Sequence, residues 1–538
     1  MLIKPVLLAC AISAWALLSA ALPAARAASR QPVPLPSWDG AQGPGGWTFS
    51  DPQRVKVVAD GTAVSYLSVV NGAATSVEQV GASIALPLAI VAGSRIGVSV
   101  DVRATDVSKP VHSYNGIKAM VHVTAPNRSD TWDQAAGNGD SFPFSYDWKT
   151  LTFQTVVPRD ASSALLILGL QDSAGQADFR NLQVRILRTL PVPPKSPPTG
   201  PVFTGHGPGS LRGTMISPNI QAEDIETLAK WHVNLVRWQI LWNGFPHSRA
   251  DQADTAEYDK WLDSNLAHLD DMLPHFKKAG IAVVVDLHTP PGGRGSDKVM
   301  RIFTDAQWQK HFGVVWDKIA RKYRGDQRIW GYDLVNEPVL PGGETGLLDW
   351  HDLAEQTAKH VRQIDPVHAI IIEPDPWGSV PGLAYFAPLD VPGIVYSVHM
   401  YDPGQFTHQG VLDGLATGPV YPGVIGGTQW DKDRIRKALK PAIDYAKTYN
   451  VHIYIGEFSA VRWAKGADKY ISDVIDVMEE NGWDWSYHAF REWQGWSPEV
   501  GEDKDVTTPS PAPTARLLVL QAAFAHNQAA TTKVFGPK

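Results

Sequence analysis

Tyr332-Asp333-Leu334-Val335-Asn336-Glu337-Pro338 closes an apolar run that begins at Ile329. The run reads as a buried strand, and proline cannot continue a central strand, so Asn336 and Glu337 sit at its carboxyl end. A carboxylate at that end of a parallel strand is placed for chemistry on an α/β barrel. The plain alternative is that Glu337 opens a loop and faces water. A second carboxylate ending another strand separates the two readings.

Outward from this strand the chain alternates strand and helix. Apolar strand-like runs occur at 211–216, 234–240, 281–287, 329–335, 369–372, 394–401, 451–456 and 483–490. Helical spacing of apolar residues occurs at 222–231, 258–278, 308–323, 348–364, 431–448, 468–478 and 514–524. Strand-helix units repeated eight times across residues 202–530 are the plan of an α/β fold, the (β/α)8 TIM barrel. Its active site is expected at the carboxyl ends of the strands. Those ends carry Arg237, Asp286 and His288, Asn336 and Glu337, Glu373, His399 and Tyr401, then Glu457. Glu457, on strand seven, faces Glu337 on strand four across the barrel. Two carboxylates flanking a cleft suit glycoside hydrolysis: one protonates the leaving oxygen, and the other attacks, or activates water, at the anomeric carbon.

The ordered set Val236-Arg237-Trp238, Asp286-Leu287-His288, Asn336-Glu337-Pro338, His399-Met400-Tyr401 and Gly456-Glu457-Phe458 resembles glycoside hydrolase family 5 over about 205–500. Each motif alone is weak; five in order, each on its expected strand, are specific. The resemblance implies a retaining β-glycosidase with Glu337 as acid/base and Glu457 as nucleophile. It also implies Asn336 holding the sugar 2-hydroxyl, Arg237 hydrogen-bonded to Glu457, and His288, His399 and Tyr401 lining the −1 subsite. Like charges held close resist joint ionisation, so one carboxyl titrates high. Arg237 beside Glu457 assigns the retained proton to Glu337. Arg237 as a barrel ion pair, and His288 and His399 as core histidines, are the non-catalytic readings.

Strand eight departs from the family. Many members end it with a tryptophan that floors the −1 subsite; here it reads Trp485-Ser486-Tyr487-His488-Ala489-Phe490, then Arg491-Glu492-Trp493. Either His488 replaces the platform or Trp493 supplies it from the loop, and Trp493 is the expected one. Trp242, Trp377 and Trp463 are further platform candidates. Glu373 is expected in a loop or subsite, Asp286 as support for a histidine, and Glu492 and Glu499 near sugar hydroxyls.

Residues 33–190 change texture. Short alternating runs at 54–58, 95–102, 118–123, 150–157 and 177–186, with turn residues between them, predict an all-β jelly-roll sandwich. Its end resembles the closing strand of jelly-roll carbohydrate-binding modules, which implies Trp132 and Tyr146 as a sugar platform; a supporting domain without a ligand is the alternative. Residues 191–201, rich in proline, predict a stiff extended linker.

Residues 1–27 read as a signal peptide: Lys4, an apolar stretch from Val6 to Leu22, then Ala25-Arg26-Ala27. An uncleaved anchor is the alternative. Removal of the leader would take Cys10, the sole cysteine, and leave a mature chain without thiol chemistry or disulfides. A secreted or periplasmic location is expected. The 538 residues carry a net charge of −7 and no long basic run, which argues against nucleic-acid binding. The 20 tryptophans include candidates for stacking on sugar rings. The expected enzyme is a monomeric, cellulase-like endoglucanase acting on β-linked oligo- or polysaccharide with no metal or organic cofactor. An exo-acting β-glycosidase or mannanase is the near alternative. A metal-dependent amidohydrolase would need a His-x-His pair on strand one, absent from Arg212-Gly213-Thr214-Met215. A non-catalytic sugar-binding surface protein would be expected to lack one of the two carboxylates.

Overall fold

The computed structural model describes residues 32–530 apart from 36–45, 60–64, 73–78, 111, 113, 127–129, 136, 140, 243–249, 251–252, 344 and 412–414. The expected leader at 1–27 lies outside the described residues. Two compact units meet in sequence at Leu190 and Pro191, with the short stretch Pro341–Glu344 counted with the first.

The first unit is all-β. Its strands are β1 (Thr48–Phe49), β2 (Val55–Ala59), β3 (Ser65–Asn71), β4 (Gln79–Ala85), β5 (Ser94–Val107), β6 (Gly116–Thr124), β7 (Thr131–Gln134), β8 (Phe144–Val157), β9 (Ser163–Gln171) and β10 (Gly175–Thr189). They form two five-stranded sheets in the orders β1-β4-β9-β6-β7 and β2-β3-β10-β5-β8. Alternate side chains face inward, as a period of two requires: Val98, Val100 and Val102 from one sheet meet Leu166, Leu168 and Leu170 from the other in one apolar core.

The second unit is a closed parallel barrel of β11 (Arg212–Ile216), β12 (Leu235–Gln239), β13 (Ala282–Asp286), β14 (Ile329–Asp333), β15 (Ala369–Ile372), β16 (Ile394–Met400), β19 (Ile453–Phe458) and β20 (Asp484–Phe490). A small hairpin, β17 (Gly423–Ile425) and β18 (Thr428–Trp430), lies in the block 403–430 between β16 and β19. Every barrel strand falls within two residues of its expected bounds. One helical expectation changes. The segment 431–448 forms two helices, Lys432–Ala438 and Lys440–Tyr449, because Pro441 has no N–H to continue the first and instead starts the second. After β15 the chain makes only the 3₁₀ turn Val380–Tyr385, in a segment broken by Pro374, Pro376 and Pro381. Among the described residues no helix is long and apolar enough to cross a membrane.

The strands carry two faces. Outward residues such as Val236, Trp238, Val283, Val285, Ile370 and Ile372 pack under the surrounding helices. Inward residues toward the amino ends, among them Leu235, Ala282, Val284, Ala369, Ile371, Val395 and Tyr454, make a separate apolar plug. Two steps further along the same inward face come Arg237, Asp286 and Glu373, with His399 four beyond Val395. The barrel interior is therefore apolar below and charged above.

Candidate active site

Arg237 is fully buried and is the hub of the charged layer. Its guanidinium donates to Glu457 Oε1 at 2.7 Å and Glu373 Oε1 at 2.7 Å. It also donates to Asp333 Oδ2 at 2.9 and 3.0 Å and to Asn336 Oδ1 at 3.1 Å. Asp286 Oδ1 lies 3.2 Å away. Burial disfavours the guanidinium charge, but these carboxylates outweigh it and hold Arg237 well above its usual range. One cation cannot neutralise four anions. Asp333 consequently titrates well above the ordinary carboxylate range, pushed first by burial and then by Glu373 and Asp286 against the opposing pull of Arg237.

Glu457 accepts from Arg237 on one oxygen and from the Tyr401 hydroxyl, at 2.9 Å, on the other. His488 Nδ1 and His399 Nδ1 lie 3.5 and 3.7 Å from that second oxygen. Burial would raise its pKa; the charges of His399, His488 and Arg237 overcome this and hold the carboxyl well below the usual range. A register shift at β16–β19 sets Glu457 opposite His399.

Glu337 sits with φ 50°, in the left-handed region, which an ordinary side chain occupies at a cost of order 1–3 kcal/mol. Its N–H donates to Glu373 Oε2 at 2.7 Å and its carbonyl accepts from Arg294 at 2.7 Å, which holds that conformation. Its carboxyl Oε1 lies 2.9 Å from His399 Nδ1. One oxygen each of Glu337 and Glu457 and a ring nitrogen of His399 lie within 4.8 Å of one another. The Glu337 side chain is 21% exposed and that of Glu457 5%, so Glu337 is the more open of the two. Glycine is needed twice here. A Cβ at Gly378 (φ +57) would meet Glu373 Oε2 at 2.5 Å, and one at Gly456 would meet Ser397 Oγ at 2.6 Å.

Asn336 and His288 form a chain to Asp286. His288 Nδ1 donates to Asp286 Oδ2 at 2.8 Å, which leaves Nε2 to accept from Asn336 Nδ2 at 3.2 Å. His399 is buried with Nδ1 on Glu337 and Nε2 3.2 Å from Glu373 Oε1; burial opposes its charge, but Glu373 and Glu457 raise its pKa well above the usual value. Arg237, His288, Asn336, Glu337, His399, Tyr401 and Glu457 are thus brought together.

Trp493 is not among them. It is 37% exposed and packs edge-on against Trp463 and Trp496, one ring outward from His488. The side chain that strand eight sets against Glu457 is His488, which touches Tyr401 Oη through Nδ1 and Glu492 Oε2 through Nε2 at 2.7 Å. The reason is register: β20 runs through Phe490, so His488 is still on the strand while Trp493 lies beyond it. Glu373 also departs from expectation. It is fully buried under Glu337, as its place on the inward face after Ala369 and Ile371 requires. Of the remaining candidates, Trp242 is buried against Trp261 at 4.7 Å, and Trp463 donates to Gln409 O. Glu499 is held by Arg491 rather than open to a ligand. Trp377 is exposed, with the Arg294 guanidinium 5.1 Å from its ring centroid. In the sandwich Trp132 is exposed and stacks on His122, whereas Tyr146 is tied by its hydroxyl to Gly137 O and packed on Phe144.

Sequence reading missed Asp333 and Arg294 as site components, and it named His488 and Glu492 without pairing them. Alternation from Ala369 could have turned Glu373 inward; Arg294 sits in a loop with no periodic signal. Two groups of described residues have metal-ligating composition: Glu337, His399 and Glu457, and, at the amino end of the barrel, His206, His452 and Asp484. In the second, both Nε2 atoms hydrogen-bond Asp484 Oδ2, at 2.8 and 2.6 Å, so protons already fill the ligand positions.

A parallel barrel with two carboxylates facing across its carboxyl end, one clamped by arginine, defines the glycoside hydrolase class. The model of the family "Cellulase (glycosyl hydrolase family 5)" matches residues 203–493, and the chain belongs to that family. It is 28% identical to endoglucanase C of Acetivibrio thermocellus over 298 residues, 50% of this chain and 84% of that protein. It is 22% identical to cellodextrinase A of Ruminococcus flavefaciens over 324 residues, 59% of this chain and 90% of that protein. Among solved structures, endoglucanase Cel5A of Thermotoga maritima is 24% identical, covering 57% of this chain and 96% of that one, with a TM-score of 0.45.

Proposed function

We propose that this glycoside hydrolase cleaves β-linked glucan by double displacement with retention, with Glu457 as nucleophile and Glu337 as acid/base. The observation that carries the reading is the environment of the two carboxyls. Glu457 is held ionised between Arg237 and Tyr401, and Glu337, more open, lies with an oxygen inside the 4.8 Å group. Retaining sites hold their carboxyls roughly 5–5.5 Å apart, whereas inverting sites leave roughly 6.5–9.5 Å for a water.

In the first step Glu457 attacks the anomeric carbon while Glu337 gives its proton to the departing glycosidic oxygen. Formation of the ester removes the Glu457 charge. Glu337, now ionised, takes a proton from water, whose oxygen displaces Glu457 and restores both groups. Asn336 is oriented by Arg237 and His288, so its amide can hold the 2-hydroxyl as the transition state forms. The fixed donors on Glu457 act before the chemistry and need no reorganisation during it.

Endo-cleavage of glucan is supported by the likeness to endoglucanase C, and action on cellodextrins by that to cellodextrinase A. Trp377 is a further platform candidate, and Trp493 lines the outer rim rather than the floor. The N-terminal sandwich is a candidate sugar-binding module through Trp132, and residues 1–27 a leader for secretion or periplasmic export. The decisive test replaces Glu457 with glycine and supplies azide. Recovery of turnover with an inverted glycosyl azide product is expected; activity in the variant without azide removes the nucleophile assignment. Product lengths from a soluble β-glucan separate endo from exo action.

A further inference from the structure

Hydrogen-bond accounting at strand eight leads beyond this assignment. Tyr401 Oη has one proton, and Glu457, an ionised carboxylate, can only accept. The 2.9 Å contact to Glu457 Oε2 therefore uses that proton. The contact between Tyr401 Oη and His488 Nδ1 then needs its proton from Nδ1. On the other side Nε2 faces Glu492 Oε2 at 2.7 Å, and Glu492 also accepts from Gln239 Nε2 at 3.1 Å, so Nε2 must donate too. Both ring nitrogens carry protons, and His488 is an imidazolium.

We propose that Glu492, His488 and Tyr401 form a charged relay that positions and ionises Glu457, at the place where family resemblance expects an aromatic floor. The proposal rests on the reading of Glu457 as nucleophile. The relay has two states. With the proton on His488, Tyr401 donates to Glu457. When His488 loses it, Nδ1 becomes an acceptor, the Tyr401 proton turns toward it, and Glu457 loses a donor and a neighbouring cation together.

The surroundings favour the charged state. Burial opposes it, but Glu492 and Glu457 face the ring and outweigh both burial and the opposing charge of His399, so the His488 pKa is raised. Glu492 is correspondingly lowered: burial opposes this, and the His488 charge and hydrogen bond supply the pull. His408, on the far side of Tyr401 and Trp496, is pushed down to about 4 by burial and by His488, so it is neutral and does not compete for the proton. Arg237 faces the opposite oxygen of Glu457. Trp496 packs against the His488 ring at 5.5 Å and fixes its plane.

The relay makes His488 and Glu492 positioning residues with a pH signature. In Glu492→Gln the imidazolium loses its carboxylate partner, so the alkaline limb of kcat/KM is expected to move to lower pH by about one unit. His488→Gln is expected to leave an alkaline limb set by the acid Glu337 alone, which a second change at Glu492 no longer moves. Ring ¹⁵N shifts of the wild-type enzyme at pH 7, assigned by comparison with His488→Gln, should show both His488 nitrogens protonated. A neutral ring pattern, or a Glu492→Gln profile lowered equally at every pH with its limb in place, overturns the relay. Failure of azide rescue in Glu457→Gly overturns the nucleophile reading instead. Rescue together with an unmoved Glu492→Gln limb overturns the relay alone.

Discussion

The barrel buries a histidine–carboxylate network at each end, and the two are built to opposite rules. At the amino end Asp484 accepts from His206, His452 and the Leu211 N–H, and His206 passes its second ring proton to Gly207 O. At the carboxyl end four carboxylates share Arg237, Glu337 is held in a left-handed conformation, and Asp286 Oδ1, Asp333 Oδ1 and Gln239 Oε1 are buried without a hydrogen-bond partner. Buried polar groups are normally satisfied, and exceptions need an explanation. Under the proposed mechanism the explanation is use: the lower network is closed, and the upper one holds unbalanced charge for substrate and nucleophile.

This contrast can be broken at several points. The largest expected effect is in Glu457→Gly, where kcat should fall on the order of 10⁶-fold, as for loss of a nucleophile elsewhere. Its thermal midpoint should change little, because one of the carboxyls crowded around Arg237 is removed; a large loss of stability would erase the distinction. Glu337→Ala should lose roughly 10²–10⁴-fold on substrates with poor leaving groups and much less on activated aryl glycosides. Equal losses on both substrate types would remove the acid role.

Asp484→Asn tests the other end. Breaking a buried ion pair costs about 3–5 kcal/mol, so denaturant unfolding should show that loss while kcat of the folded enzyme stays the same. A lower kcat at unchanged stability would show that the two ends are coupled. The smallest effect is in pH dependence. Burial lowers the His206 pKa, but the Asp484 charge more than compensates and raises it above the usual value. Its contribution is therefore full below about pH 6.5, the unfolded value, and is lost as pH rises through the higher folded value. The thermal midpoint should decline through that range in the wild type and decline less in Asp484→Asn. Identical slopes would remove His206 from the account.

Much of the upper site was legible. Arg237, Asn336, Glu337, His399 and Glu457 follow from where apolar strands end, because a barrel gathers those ends at one face. The lower network was not, since His206, His452 and Asp484 lie far apart in sequence and each looks like an ordinary loop or strand-start residue. Strand eight misled for a local reason. Trp493 has the right chemistry for a sugar platform, but a strand continuing through Phe490 keeps His488 inward and carries Trp493 to the rim.

The sequence alone determined the order of elements, the barrel, the sandwich before it and the identity of the two facing carboxyls. Periodicity and strand ends are local properties, and they survive without knowledge of contacts. Tertiary structure decided the charges. Whether Asp333 is neutral, whether Glu457 is ionised, and whether His488 carries two protons depend on burial and on partners from other strands. Electrostatic energy in a buried site is set by distance and desolvation, and neither is written along the chain.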